Sequence, residues 1–355
     1  MLMNVGVSQK GADMSENNER CCAFSCVRTP KRNQAIELLR FFLMIGVVFM
    51  HSVGFSSSTN RWHSHIADSC VTCFVFISGY YGIRWKANKA YALLAIGAWC
   101  ALISTFVGFC FDGYVSVLDF LIVWKDCFRT YWFLWAYMVL MLVSPILNEI
   151  KFPVYAGDAN NYCRNVKKNG GGGLLFIVFI WAFAVYFQGR FKVVPNPSVF
   201  STHSPLALIG IYTAARMFVA SKIESRIRLR HLIVAMGICI PLCTWKFSPY
   251  VSPISVVLAA SVFVFVKNYI RIDEGRCAKY IAWIAPSVFP IYLIHQSPAG
   301  LKCLENLNVV FEQYQIGDIV LLLSAIIIAV GCVILDVVFR RIPLAALNLA
   351  LACWK

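Results

Sequence analysis

Ile36-Glu-Leu-Leu-Arg40-Phe-Phe-Leu-Met-Ile-Gly-Val-Val-Phe-Met-His51 opens the first apolar run of the chain, yet it carries an acid, a guanidinium and an imidazole. A membrane-crossing helix needs about 20 mostly apolar residues. A charge within one costs roughly 2.5 to 3.5 kcal/mol on insertion scales, so it is kept where it meets a partner or lines a cavity. Arg40 and His51 are eleven residues apart. At about 100° per residue this makes three turns plus roughly 20°, which sets both side chains on one face about 16 Å apart along the axis. Taken singly, Arg40 can snorkel to one headgroup layer and His51 to the other. Together on one face they mark a polar path, with a cation at one depth and a titratable base at another.

The composition extends this reading to the whole chain. Hydrophobic residues make up 59% and charged residues 14%, and the mean hydropathy is +0.68, against about 25% charged residues in soluble domains. The expected fold is an all-α integral membrane protein of about ten transmembrane helices. Apolar runs lie at 35–55, 67–83, 90–111, 131–148, 174–188, 204–220, 231–245, 250–267, 280–297 and 318–339. With the N-terminus inside, 24 of the 32 Lys and Arg fall in inner segments and seven in outer loops, Arg40 being the remaining one. That bias sets both termini in the cytoplasm. The net charge of +15 is then a topology signal with some attraction to anionic headgroups. The basic residues are scattered over inner segments and the aromatics lie within apolar runs, so no nucleic-acid partner is expected.

Residues 1–34 lack an apolar core that could serve as a signal peptide and read as a disordered cytoplasmic leader. Residues 35–340 form the membrane domain and 341–355 a cytoplasmic tail. The loop ending in Gly170-Gly-Gly-Gly173 reads as a hinge. The 15 cysteines have no second ligand pair at zinc spacing and read as small apolar fillers, so no metal site is expected. His63 and His65, with Arg61, read as a solvated polar loop.

Four further stretches carry chemistry or shape. Phe74-Val-Phe-Ile-Ser-Gly79-Tyr-Tyr-Gly82 closes the second run with small residues that let helices approach. Arg84, Lys86 and Lys89 follow; three cations at a cytoplasmic helix end serve as a stop signal or pair with phosphates. Tyr131-Trp132-Phe-Leu-Trp-Ala-Tyr137 is an interfacial aromatic belt or a platform on which a sugar ring stacks. Pro290-Ile-Tyr292-Leu-Ile-His295-Gln296 sets a second histidine at a depth similar to that of His51.

Over residues 33 to about 340 these features resemble the bacterial acyltransferase-3 family of multi-spanning membrane acyltransferases. The matching parts are Arg40 followed after ten residues by His51, with Glu37 before it; Phe76-Ile-Ser-Gly79-Tyr; Trp132-Phe-Leu-x-x-Tyr137 with Ser144-Pro145-x-Leu-Asn148; and Tyr292-Leu-Ile-His295. Where the family often has Arg-x-x-Arg, this chain has Arg84 and Lys86-x-x-Lys89. Thr72 stands where an acid or amide is common, and no extracytoplasmic hydrolase-like domain is expected.

The resemblance implies transfer of an acyl group, by default acetyl, from cytoplasmic acyl-CoA to a cell-surface glycan or its lipid-linked precursor in the bacterial inner membrane. It makes acetyl-CoA a co-substrate, with no bound cofactor, and the partners acyl-CoA, a carbohydrate acceptor and membrane lipids. Direct transfer assigns His51 as general base, with Glu37 in the catalytic set holding Arg40. Arg40, Arg84, Lys86 and Lys89 bind the donor; Trp132, Tyr137, Tyr292 and His295 bind the acceptor or support its site. The alternative is a transporter or flippase of a glycan or lipid-linked sugar. A proton-coupled path favours midplane carboxylates, whereas Glu37, Asp68, Asp318 and Asp336 all lie near the ends of the runs.

Overall fold

The computed structural model describes residues 33–55, 62–112, 117–149, 205–244, 252–312 and 318–344, and among these every regular element is helical. The helices are α1 (Gln34–Phe55), α2 (Trp62–Tyr81), α3 (Ala87–Asp112), α4 (Val117–Thr130), α5 (Trp132–Glu149), α6 (Pro205–Ala220), α7 (Leu229–Thr244), α8 (Pro253–Tyr269), α9 (Arg276–Ile284), α10 (Val288–His295), α11 (Pro298–Glu312) and α12 (Asp318–Asp336). The run expected at 174–188, the glycine hinge, Arg61, the leader up to residue 32 and the tail from 345 lie outside the described residues, as do the side chains of His63 and His65.

Among the described residues, five stretches are long and apolar enough to cross a membrane: Gln34–Val53, Ala87–Cys110, Trp132–Glu149, Arg276–His295 and Ile319–Leu344. Shorter apolar helices cover Ile66–Tyr81, Pro205–Ala220, Leu229–Cys243 and Pro253–Tyr269. Large apolar side chains such as Phe42, Ile146, Ile233 and Ile319 face outward, as befits a protein whose solvent is hydrocarbon. The structure departs from the apolar runs in two ways. The stretch 280–297 is two helices, α9 and α10, joined by a 3₁₀ turn at Ala285–Ser287, because Pro286 has no N–H to continue the helical ladder. In addition, α4 and α11 are helices where the apolar pattern indicated only loops.

Helix α1 is the axis of the molecule, touching α2, α8, α9, α10, α11 and α12. Its Leu39 and Leu43 join a core built with Phe76, Ile77, Tyr212 and Phe263. Its Met44, Val47 and Val48 join a second core with Ile291, Leu293, Leu304 and Ala329. Between apolar helices in lipid, close backbone approach supplies what the hydrophobic effect does in water. Gly79 of α2 provides it: a Cβ there would lie 2.7 Å from the Tyr212 carbonyl oxygen and 2.8 Å from the Ala215 Cβ on α6. The α2 chain then turns at Gly82, whose φ of 75° suits glycine.

Gly79→Ala is therefore expected to force α2 and α6 apart and to destabilise by about 1–3 kcal/mol. Thermal unfolding in detergent checks this; an unchanged Tm would show that the contact yields freely.

Candidate functional site

The polar residues of α1 mark two regions of the bundle. At the first, Arg40 Nη1 donates to Glu37 Oε1 at 3.2 Å, with the glutamate nearly buried and the arginine half-buried. Glu37 precedes His51 by fourteen residues on one continuous helix, roughly 21 Å of rise. It therefore contacts Arg40 and lies too far along α1 to touch His51. Arg84 and Lys86 lie in the exposed link after α2, and Lys89 in the exposed first turn of α3. That link is held by a clamp with one partner on α5 and one on α6. Tyr212 Oη accepts from Ile83 N at 2.8 Å and donates to Asn148 Oδ1 at 2.7 Å, while Asn148 Nδ2 donates to the Ile83 carbonyl at 2.7 Å. Gly82 in the same link is neighboured by the Arg216 guanidinium. Tyr80, of the Ser-Gly-Tyr stretch, donates to Glu224 at 2.5 Å and accepts from Lys267 at 2.6 Å. Lys267 in turn pairs with Glu224, whose carboxyl lies below its ordinary range: partial burial pushes it up, and the Lys267 and Tyr80 hydrogen bonds outweigh that.

At the second region the His51 ring meets that of His295, with centroids 5.3 Å apart. His295 is fully buried, and its Nδ1 lies 2.7 Å from the Ile291 carbonyl oxygen. A carbonyl only accepts, so Nδ1 carries the proton and Nε2 keeps a lone pair. Among the described residues, that Nε2 is buried without a hydrogen-bond partner. Tyr292 packs against His295 at 6.0 Å and is itself buried. Its hydroxyl accepts from Phe133 N at 3.0 Å, satisfying a free donor in the first turn of α5. Phe133 gathers the other aromatics: it stacks on Tyr137 at 5.9 Å, meets Trp132 at 5.7 Å and meets Tyr292 at 5.6 Å. Nearby, α3, α10, α11 and α12 line a cavity of about 200 Å³ whose lining, including Ile294, Gly331 and Leu335, suits hydrocarbon better than sugar.

A family model described as an acyltransferase domain, Acyl_transf_3, matches residues 33–337. The chain belongs to the acyltransferase-3 family. No curated protein and no solved structure matches it.

In this acyltransferase the structure brings His51 to His295, Glu37 to Arg40, and Trp132, Tyr137 and Tyr292 into one aromatic cluster. It leaves Arg84, Lys86 and Lys89 exposed. Thr72 is fully buried. Sequence reasoning quoted Asn148 and Phe133 within motifs without a role of their own, counted Arg216 only among the inner basic residues, and missed Tyr212. Tyr212 lies in an apolar run where a tyrosine carries no distinguishing signal, so only the fold reveals that it grips the cationic link.

Tyr212→Phe leaves the Ile83 N–H and the Asn148 amide oxygen without a partner, and is expected to cost about 1–3 kcal/mol. Unfolding in detergent should show a lowered Tm and faster amide exchange at Ile83. Wild-type exchange at that amide would show that the clamp does not hold the link.

Proposed function

We propose that the protein moves an acyl group, by default acetyl, from cytoplasmic acyl-CoA to a hydroxyl of a cell-surface glycan or its lipid-linked precursor. The observation that carries this reading is the arrangement of α1 in a chain of the acyltransferase family. A guanidinium stands near the start of that helix, and two imidazoles meet about 16 Å further along it.

In this reading the chain crosses the bacterial inner membrane about ten times with both termini inside, a topology supported by the concentration of Lys and Arg in alternate links. The Arg40 region then faces the cytoplasm, where acyl-CoA is found. Arg40, Arg84, Lys86 and Lys89 offer charge-assisted hydrogen bonds to the donor phosphates, and Arg216 adds a further cation beside the same link. The pantetheine arm runs along α1 and delivers the thioester near His51.

His51 takes the proton of the acceptor hydroxyl as that oxygen attacks the thioester carbonyl carbon. The carbon–sulfur bond breaks, the acyl group stays on the acceptor oxygen as an ester, and the departing thiolate takes the proton back from the imidazolium. His295, fully buried with its Nδ1 turned to the Ile291 carbonyl, stands beside His51 as a second imidazole. Trp132, Tyr137 and Phe133 offer aromatic faces on which a sugar ring stacks, and Tyr292 supports both α5 and His295.

His51→Ala is expected to lower transfer by about 10²- to 10⁴-fold, the usual range for a general base, while the protein still inserts and folds. Near-normal turnover would remove His51 from that role. Arg40→Ala should raise the apparent KM for acyl-CoA with kcat little changed; a fallen kcat at unchanged KM would make Arg40 structural instead.

A further inference from the structure

We propose that the cavity lined by α3, α10, α11 and α12 takes the tail of a bilayer phospholipid, admitted sideways from the membrane. Three of its walls, α3, α10 and α12, come from stretches long and apolar enough to cross a membrane. The lining residues of α12 run from Ile327 to Leu335, about 12 Å of rise in the middle of the stretch Ile319–Leu344. That places the cavity at the depth of hydrocarbon and not of headgroups. Ile327 is 47% exposed and opens the cavity to the lipid-facing surface of the bundle.

The lining sets what can enter. Among the described residues it holds no charged side chain. Its hydroxyls are those of Ser104 and Ser297. Ser297 Oγ donates to the Ile294 carbonyl and accepts from Gly300 N, and the buried Ser104 Oγ has the Tyr131 hydroxyl as its neighbour. Water in a cavity needs about two to four polar partners, so the space stays dry. A dry space left empty forfeits the contacts its lining would make, at a cost that grows with its volume. An apolar cavity of roughly 150 Å³ holds a benzene ring, so this one, of about 200 Å³, takes on the order of eight carbons. An acetyl group is too small to fill it. Among the described residues none from α1 lines it, so a donor lying along that helix does not reach it. A segment of a long tail fits, with the rest of the lipid remaining in the bilayer. Glycine makes the room: a Cβ at Gly331, in the α12 wall, would meet no atom within 4 Å.

The test uses the full chain in vesicles of phosphatidylethanolamine and phosphatidylglycerol that contain a phospholipid with a photoactivatable diazirine at mid-tail, the adducts being mapped by mass spectrometry. At low probe, adducts at Cys303, Ile327 and Leu335 should exceed those at Ile233 and Ile238, which face outward on α7, by about 10-fold. As probe is raised the cavity adducts should saturate, while those on α7 rise in proportion. Gly331→Leu fills the space from α12 and Val107→Phe from α3; each should bring the cavity adducts down to the α7 level. Gly237→Leu is the control and should change nothing, because a Cβ there also meets no atom within 4 Å but Gly237 does not line the cavity. Cavity labelling that fails to saturate, equal labelling of the two places, or cavity labelling that survives in a Gly331→Leu protein of wild-type melting temperature would overturn the inference. So would displacement of the probe by polyprenyl phosphate or acyl-CoA where excess unlabelled phospholipid fails to displace it, since the tail would then belong to another molecule. Saturation is read on the wild type alone, so it decides the matter even where a variant misfolds.

Discussion

A guanidinium and an imidazole can be carried along the central helix of an apolar bundle only if each finds polar company at its own depth. Helix α1 meets that constraint twice. Glu37 accompanies Arg40, and His295, delivered by a helix almost at the other end of the chain, accompanies His51. Much of the rest of the structure serves these two meetings. The cores on the two sides of α1 hold it between α2 and α8 on one hand and α10 and α12 on the other. The break at Pro286 frees α10 to approach α1 independently of α9.

The two regions are built differently, and the difference follows from what each is proposed to meet. Around Arg40 the cations of the α2–α3 link are exposed while its backbone is gripped by Tyr212 and Asn148. A gripped backbone under exposed cationic side chains suits the large, charged, water-soluble donor proposed for it. Around His295 the side chains are buried, their tautomer and amide orientation set by carbonyl partners, and among the described residues His295 Nε2 and Asn308 Oδ1 have no hydrogen-bond partner. That burial suits the neutral hydroxyl of the proposed acceptor.

Much of this was legible in the chain. Arg40 and His51 stand out because charge inside an apolar run is conspicuous, and helical periodicity alone puts them on one face. His295 and Tyr292 are visible for the same reason, and Gly79 because small residues mark close helix approach. The rest was hidden by ordinary physics. Asp119, Lys125, Asp126 and Arg129 interrupt the apolar pattern of α4, as Lys302 and Glu305 do in α11, so both resemble loops when membrane burial is the only criterion applied. Tyr212 and Asn308 are uncharged, and nothing local distinguishes a tyrosine or asparagine that bonds across the bundle from one at an interface. The tautomer of His295 depends on a carbonyl one turn earlier, which is backbone geometry and leaves no trace in residue type.

The proposed division of α1 into a cytoplasmic donor region and a deeper transfer region is tested most directly by sidedness. Labelled acetyl-CoA, which does not cross the bilayer, is supplied to sealed inverted and right-side-out vesicles, and label in the glycan fraction is measured. The account predicts labelling when the cytoplasmic face is outermost, weakening as salt screens the phosphate contacts, and none when the donor meets only the opposite face. Equal labelling from both faces would contradict it.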